Sequence, residues 1–113
     1  MNRLQDKVAL VTGGAAGIGR ATCQALAEAG AAVAVTDIDF EASRAVAQEI
    51  EDAGGRALAW PLDVSDGAAV REVCDGVVDR LGRIDVLVNN AGIAGPNKPT
   101  HEIDEEEWRV VSR

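Results

Sequence analysis

A glycine-rich turn that directly follows a short apolar run constrains this chain more than any other feature. Residues 7–19 read KVALVTGGAAGIG. The first half suits a strand buried on both faces, as in a parallel sheet, and the second half opens a helical pattern. Gly13, Gly17 and Gly19 remove side chains where a backbone must bend, approach a ligand closely and pack a helix against its strand. A helix N-terminus presents free N–H groups and the positive end of its dipole, so the pattern predicts a phosphate group as ligand.

An acidic residue after the second apolar run supports this interpretation. The run from Ala31 to Thr36 ends in Asp37, twenty residues after Gly17. Dinucleotide-binding units place at this point the acid that accepts hydrogen bonds from a ribose. The residues alone leave an alternative open, because Asp37 or Asp39 would also cap the next helix. A glycine triplet also arises simply to join a strand to a helix, so the prediction rests on the whole unit of strand, glycines, helix, strand and acid.

Composition sets limits on the class of protein. The 113 residues suffice for one domain, and 47% hydrophobic with 27% charged residues is ordinary for a soluble globular protein. A net charge of −8 argues against binding nucleic acid or an anionic membrane through a general basic field. No apolar run is long enough for a membrane span or a signal peptide, so we expect a cytoplasmic protein. Phosphate binding must then come from backbone dipoles.

The residues that commonly hold metals are scattered. Cys23 and Cys74 lie in separate helical patterns without metal-binding spacing, and we interpret both as small buried apolar side chains. His101 follows a stretch rich in glycine and proline, where a solvated histidine is expected rather than a ligand or a base. The acidic run that begins at Asp104 predicts the start of a last helix, because a hard cation would need ligands that converge from a loop. We therefore predict no metal site.

The remaining elements follow from hydrophobic periodicity. Strands are predicted at residues 7–12, 32–36, 56–62 and 84–88, and glycines end each intervening helix. Helical spacing predicts one buried stripe per helix: Ile18, Thr22, Ala25, Leu26 and Ala29 in the first; Ala42, Val46, Ile50 and Ala53 in the second; Val70, Val73, Cys74, Val77 and Leu81 in the third.

Strands that alternate with helices predict an α/β fold, a doubly wound parallel sheet with right-handed crossovers and strand order 3-2-1-4. The switch point of that order lies between strands one and four. Gly13 and the pair Asn89 and Asn90 should therefore flank one crevice at the carboxyl ends of the strands, where such sheets bind ligands. No repeat or linker divides residues 1–113.

These motifs resemble the short-chain dehydrogenase/reductase family over essentially the whole chain. Residues 12–19, TGGAAGIG, match the TGxxxGxG motif of that family, and residues 89–92 match its NNAG. Asp63 and Val64 match the acid and its neighbour after strand three. The resemblance implies a Rossmann-like fold and an oxidoreductase that transfers a hydride between the nicotinamide of NAD and an alcohol or carbonyl substrate.

The resemblance also implies a role for each matching residue. The implied cofactor contacts are Gly13, Gly17 and Gly19 in the phosphate turn with Ile18 covering it, Asp37 and the adjoining Ile38 at the adenosine ribose, Asp63 and Val64 at the adenine, and Asn89, Asn90, Ala91 and Gly92 along the cofactor. NAD is expected over NADP, because Asp37 ends strand two and neither Ile38 nor Ala16 offers an arginine to a 2′-phosphate. Independently of the family, Asp63 has an alternative interpretation as a helix cap, and Asn89 with Asn90 as a turn.

One departure from the family pattern is large. The family's catalytic tyrosine lies in a YxxxK motif in the second half of the fold, whereas this sequence has no tyrosine and only the lysines Lys7 and Lys98. We therefore assign no catalytic residue and expect the chain to be the inactive, cofactor-binding half of an incomplete domain, whether a truncated product, a fragment or an incomplete record. The resemblance implies a homotetramer for the complete fold but not for this chain.

Two rival interpretations remain. A stand-alone, non-catalytic dinucleotide-binding module would need the same glycine turn and no tyrosine. A methyltransferase that binds an adenosyl group on a similar sheet is disfavoured, because Gly13, Gly17 and Gly19 suit a pyrophosphate turn.

Overall fold

The computed structural model describes residues 3–90, in which strands and helices alternate. The elements are β1 Val8–Thr12, α1 Gly17–Glu28, β2 Ala32–Asp37, α2 Phe40–Asp52, β3 Arg56–Pro61, α3 Gly67–Leu81 and β4 Val86–Asn89. The predicted loop after Gly92, His101 and the helix expected from Asp104 lie outside the described residues.

The strands form one parallel sheet in the order β3-β2-β1-β4, which confirms the predicted Rossmann-like α/β fold. β1 is central, and its last residue, Thr12, pairs in register with Thr36 of β2 on one side and Asn89 of β4 on the other. Because the strands are parallel, all their carboxyl ends lie along one edge of the sheet. The predicted switch point between β1 and β4 is therefore at this edge.

Helices cover both faces of the sheet. On one face, α1 and α2 enclose a cluster of buried residues: Val11, Cys23, Val33, Val35, Val46, Ala47, Ile50 and Ala57. On the other face, α3 packs over a second cluster: Val8, Leu10, Ala32, Ala34, Leu62, Val70, Val73, Cys74, Val77 and Ile84. β1 is buried along its whole length and β2 up to Thr36, which explains why both read as continuous apolar runs rather than as alternating ones.

The predicted buried stripe of α1 was wrong in part. Ile18 is 72% exposed and Ala25 is also exposed, whereas the fully buried positions are Gly19 and Cys23. Leu26 packs partly against the core as expected. The reason is steric: α1 lies close to the sheet, so its buried face needs small side chains, and hydrophobicity alone does not mark that face.

The other stripes are closer to the prediction. In α2, Val46 and Ile50 are buried, but Ala53 is exposed and Ser43 and Ala47 are buried instead. In α3, the predicted positions Val70, Val73, Cys74 and Val77 are buried, and Leu81 packs partly against the core, as predicted. Gly82 ends α3.

Strand boundaries differ by one or two residues. β2 extends to Asp37, β3 ends at Pro61, and β4 begins at Val86 rather than at Ile84. Ile84 is buried beneath α3, so its apolar character serves the core just before strand pairing begins.

Aspartates cap two of the helices. Asp39 accepts a hydrogen bond from the Ala42 N–H (3.1 Å) at the start of α2. Asp66 accepts from the N–H groups of Ala68 (3.1 Å) and Ala69 (3.2 Å) at the start of α3. Of the two residues considered as the cap of α2, the structure therefore assigns Asp39 and not Asp37.

Both cysteines are free, buried thiols, as predicted. Burial raises the pKa of Cys23 to about 12. Burial, together with the charge of Asp75, raises the pKa of Cys74 to about 11. Both side chains therefore stay protonated near neutral pH and act as small apolar core groups. In the described part of the chain, no helix is both long and apolar enough to cross a membrane.

Asp85 ties the start of β4 to the start of β1. One of its carboxylate oxygens accepts a hydrogen bond from the Val8 N–H (2.9 Å), and the other accepts from Arg83 Nε (2.9 Å). Partial burial raises the pKa of Asp85, but the hydrogen bonds from Val8 and Arg83 and the positive charges of Arg83 and Lys7 outweigh this, so the net pKa lies below its usual range.

We predict that Asp85→Ala lowers the free energy of unfolding in urea by about 1–3 kcal/mol, because it leaves the buried Val8 N–H without an acceptor. Asp85→Asn keeps an oxygen acceptor and should cost less. Since the folded-state pKa is lowered, the charge contributes fully above the unfolded pKa of about 4 and is lost as pH falls through the folded value. The difference in the free energy of unfolding between wild type and Asp85→Asn should therefore become smaller at acidic pH. A difference that is the same at neutral and strongly acidic pH would contradict this assignment.

Candidate functional site

The glycine turn between β1 and α1 has backbone demands that only glycine meets. Gly13 and Gly17 have φ angles of 63° and 59°, where another residue would cost roughly 1–2 kcal/mol. A Cβ on Gly19 would lie 1.8 Å from the carbonyl oxygen of Gly13. α1 can therefore begin directly against the turn only because Gly19 has no side chain. The glycines singled out from the sequence are the positions with these constraints.

The start of α1 differs from the starts of the other two described helices. Its N-cap residue is Ala16, whose side chain caps nothing, whereas Asp39 and Asp66 cap α2 and α3. A Cβ placed on Gly17 would meet no atom within 4 Å, so the turn faces open space. The first N–H groups of an α-helix have no partner within the helix, and here no side chain replaces one. With the positive end of the helix dipole, they form a site suited to an anion.

Gly14 is a turn residue that the sequence reasoning did not single out. Its N–H donates to the carbonyl oxygen of Thr36 (2.9 Å). A Cβ there would lie 3.0 Å from Cys23 Sγ and 3.1 Å from a Val35 methyl carbon. Gly14 therefore lets the turn rest on the core beneath it. The sequence does contain a signal for Gly14: two glycines are adjacent, whereas a single bend requires only one.

Asp37 lies beside the turn. Its Oδ2 accepts a hydrogen bond from the Ala15 N–H (3.2 Å), and its Oδ1 accepts from the Asp39 N–H (3.1 Å). The half-buried carboxylate thus connects the glycine turn with the segment that leads into α2. Ile38, the next residue, and Ile18 are each 72% exposed at this edge of the sheet. Their exposure leaves two large apolar side chains available to a ligand there.

Asp63 and Val64 lie near the end of β2. The Leu62 N–H donates to the carbonyl oxygen of Asp37 (2.9 Å), which holds the chain after β3 against β2. The exposed Asp63 accepts at Oδ1 from the N–H (3.0 Å) and hydroxyl (2.7 Å) of Ser65. Val64 is half-buried and packs on the core under α3. Asp63 is thus held by a local turn and is not the cap of α3.

Thr12 joins the ends of β1 and β4. Its fully buried hydroxyl donates to Asn89 Oδ1 (2.8 Å) and accepts from the Asn90 N–H (3.1 Å). The Asn90 side-chain Nδ2 is buried and has no acceptor within residues 3–90. The sequence reasoning missed the role of Thr12, although a buried hydroxyl at the end of an apolar strand must find a partner.

The structure brings the described candidate residues to one edge of the sheet. The row begins with Asp63 after β3, continues with Asp37 at the end of β2 and the glycine turn after β1, and ends at Asn89 and Asn90 after β4. With strands spaced about 4.8 Å apart, the row spans roughly 14 Å. It suits an elongated ligand with a negative centre. Ala91 and Gly92 lie outside the described residues.

The opposite edge of the sheet holds grooves of about 240 Å³ and 530 Å³. They lie between the C-terminal ends of α1 and α2, and Glu28 and Glu49 line the smaller one. Helix C-termini carry the negative end of the dipole, so these grooves suit a phosphate group less well than the start of α1 does. Among residues 3–90, no group of His, Cys, Asp or Glu side chains converges closely enough to hold a metal ion.

Comparison with known proteins gives several strong matches. Residues 7–113 match the family model described as short chain dehydrogenase. The cis-4-hydroxycyclohexanecarboxylate dehydrogenase of Sinomonas cyclohexanicum is 48% identical over 106 residues, which cover 94% of this chain and 42% of that protein. A 3beta-hydroxysteroid dehydrogenase of Mediterraneibacter gnavus is 38% identical over 111 residues, which cover 98% of this chain and 40% of that protein.

A solved structure gives the same result. The 7alpha-hydroxysteroid dehydrogenase complexed with NADH and 7-oxo glycochenodeoxycholic acid matches with a TM-score of 0.84 at 35% identity, covering 97% of this chain and 47% of that one. The chain thus spans about two fifths of the length of the curated relatives it matches. The family model, the sequence relatives and the fold agree, and the chain belongs to the short-chain dehydrogenase family.

Proposed function

We propose that this chain is the dinucleotide-binding half of an NAD-dependent oxidoreductase that transfers a hydride between nicotinamide and an alcohol or carbonyl carbon. The observation that carries the proposal is the uncapped N-terminus of α1, which faces open space at Gly17 while aspartates cap α2 and α3. The related 7alpha-hydroxysteroid dehydrogenase was solved with NADH, which supports a nicotinamide dinucleotide as the ligand.

Different residues at the carboxyl edge of the sheet would contact different parts of such a cofactor. The first N–H groups of α1 bind the pyrophosphate, with Ile18 covering it, and Asp37 accepts hydrogen bonds from the adenosine ribose beside Ile38. Asp63 accepts from the adenine amino group, and the backbone of Val64 lies alongside. When bound, the nicotinamide ring supplies the hydride-carrying carbon.

At the other end of the row, the ends of β1 and β4 form the floor of the crevice. The Thr12 hydroxyl fixes Asn89 and Asn90 there. The buried Asn90 Nδ2 is a donor without an acceptor among the described residues, and we assign it to a partner outside them. Asn89 and Asn90, with Ala91 and Gly92 after them, line the cofactor in this proposal.

The proton-transfer step of the reaction is not supplied by this chain. The sequence contains no tyrosine, and the family's general acid/base is a tyrosine, so we expect the chain alone to bind the cofactor without turnover. The curated relatives are dehydrogenases of different alcohols, so the proposed substrate is a small-molecule alcohol or ketone. The open N-terminus of α1 suits equally a second candidate, a non-catalytic dinucleotide-binding module. The two differ in whether NADH forms from NAD and secondary alcohols once a Tyr-x-x-x-Lys segment is present.

Paired glycine substitutions test the proposed phosphate turn. Gly17 and Gly54 both have positive φ angles, 59° and 95°, and a Cβ on either would meet no atom within 4 Å. Alanine at either position should therefore cost a similar strain, roughly 1–2 kcal/mol of folding stability. Gly54 lies at the opposite edge of the sheet, at the end of α2, and serves as the matched control.

We predict that Gly17→Ala weakens NAD binding by at least about tenfold, which is equivalent to about 1.4 kcal/mol of binding free energy. The reason is that the alanine methyl group enters the space in front of the α1 amides. Gly54→Ala should bind NAD like wild type when the fraction of folded protein is matched. Isothermal titration of both variants with NAD gives the comparison. Equal weakening in the two variants would show that strain, and not the proposed turn, determines binding.

Charge at the ribose end determines the expected cofactor preference. A 2′-phosphate about 4 Å from the Asp37 carboxylate would be repelled by roughly 4 kcal/mol per unit charge at an effective dielectric constant near 20. Arg20 of α1 forms a bidentate ion pair with Glu49 (2.7 and 3.1 Å), and Arg44 of α2 pairs with Glu41 (3.4 Å).

We predict that NAD binds about tenfold to hundredfold more tightly than NADP at moderate salt, after partial screening of this repulsion. Asp37→Ala should narrow the gap by removing the repelling charge. Dissociation constants for the two cofactors, measured by titration for wild type and variant, give the comparison. Equal affinities of the wild-type chain for NAD and NADP would contradict the proposed role of Asp37.

A further inference from the structure

Two successive amides of the glycine turn are held by two successive residues of β2. The Gly14 N–H donates to the backbone carbonyl of Thr36 (2.9 Å), and the Ala15 N–H donates to the side chain of Asp37 (3.2 Å). The first contact is main chain to main chain and is independent of side-chain identity. The second depends on a carboxylate. The shape of the turn just before Gly17 therefore depends on one specific side chain.

The second oxygen of the same carboxylate fixes its orientation. Asp37 Oδ1 accepts from the Asp39 N–H (3.1 Å), and Asp39 in turn caps α2. A carboxylate offers about four lone-pair positions. The two backbone donors leave about two of these for ribose hydroxyls, so holding the turn and binding a ribose are compatible.

We propose that Asp37 is a positioning residue of the phosphate turn, in addition to the ribose contact that the proposed function gives it. By holding the Ala15 N–H, its carboxylate sets the path of the chain into Gly17 and hence the direction of the first α1 amides. The inference rests on the proposed function for its binding consequence, but the contact itself joins two groups of this chain. Loss of Asp37 should accordingly weaken the grip on the pyrophosphate as well as the contact to the ribose.

Amide hydrogen exchange in the cofactor-free chain tests the contact directly. In wild type, the Ala15 and Gly14 amides should both be protected. In Asp37→Ala, exchange at Ala15 should accelerate about five- to tenfold more than at Gly14, the factor expected for one lost hydrogen bond. Asp37→Asn, which keeps one oxygen, should give an intermediate result.

Asp66→Ala is the matched control, since it removes an aspartate with two backbone contacts at the start of α3. It should change Ala15 and Gly14 by the same factor, through global stability alone. An unprotected Ala15 amide in wild type would overturn the proposal without any variant. Equal acceleration at Ala15 and Gly14 in Asp37→Ala would overturn it as well.

Binding of a modified cofactor separates the positioning role from the ribose contact. An NAD analogue that lacks the hydroxyls of the adenosine ribose cannot use Asp37 as a ribose acceptor. We expect Asp37→Ala to weaken binding of this analogue by severalfold, as a double-mutant cycle would detect. Equal affinity of wild type and Asp37→Ala for the analogue would overturn the positioning role and leave the proposed function intact. Failure of wild type to bind NAD at all would overturn the proposed function. The exchange measurement would still show whether Asp37 holds the Ala15 amide.

Discussion

The close contact between Gly19 and Gly13 is the constraint on which the described site depends. Because a Cβ at Gly19 would lie 1.8 Å from the Gly13 carbonyl oxygen, α1 can begin where it does only with a bare backbone at that point. The start of α1 is thereby held at the carboxyl end of β1, with Gly17 toward open space. Any side chain at Gly19 would force the helix away from the turn, and its first amides would no longer converge with the ends of β2 and β4.

The parallel sheet supplies the rest of the arrangement. Since β1 is central and pairs with β2 and β4, the residues that follow these strands must lie side by side. Two hydrogen-bonded links then fix them: Asp37 to the turn, and the Thr12 hydroxyl to Asn89 and Asn90. The helices differ in their N-terminal caps, because aspartates cap α2 and α3 but no side chain caps α1. Of the described helices, only α1 therefore has its N-terminus open to an anion.

Sequence reasoning reached the sheet order and its loops because both follow from local patterns: buried parallel strands are continuously apolar, and a switch point follows from strand order. It misjudged the face of α1, where small side chains such as Gly19 and Cys23 are buried and Ile18 is exposed. The spacing of hydrophobic residues does not identify a helix face that is buried because its small side chains let the helix lie close to the sheet. The links made by Asp37 to Ala15 and by Thr12 to Asn89 were also beyond it, because these pairs are distant in sequence and meet only once the strands are paired.

In the proposed function, the carboxyl edge of the sheet binds a nicotinamide dinucleotide at the start of α1. Titration of the isotope-labelled chain with NAD, followed through backbone amide resonances, tests it most directly. We expect saturable shifts concentrated at Gly17, Ile18, Gly19 and Asp37, with Gly55 and Arg56 at the opposite edge unchanged. No saturable shift, or shifts centred on Gly55 and Arg56, would contradict it.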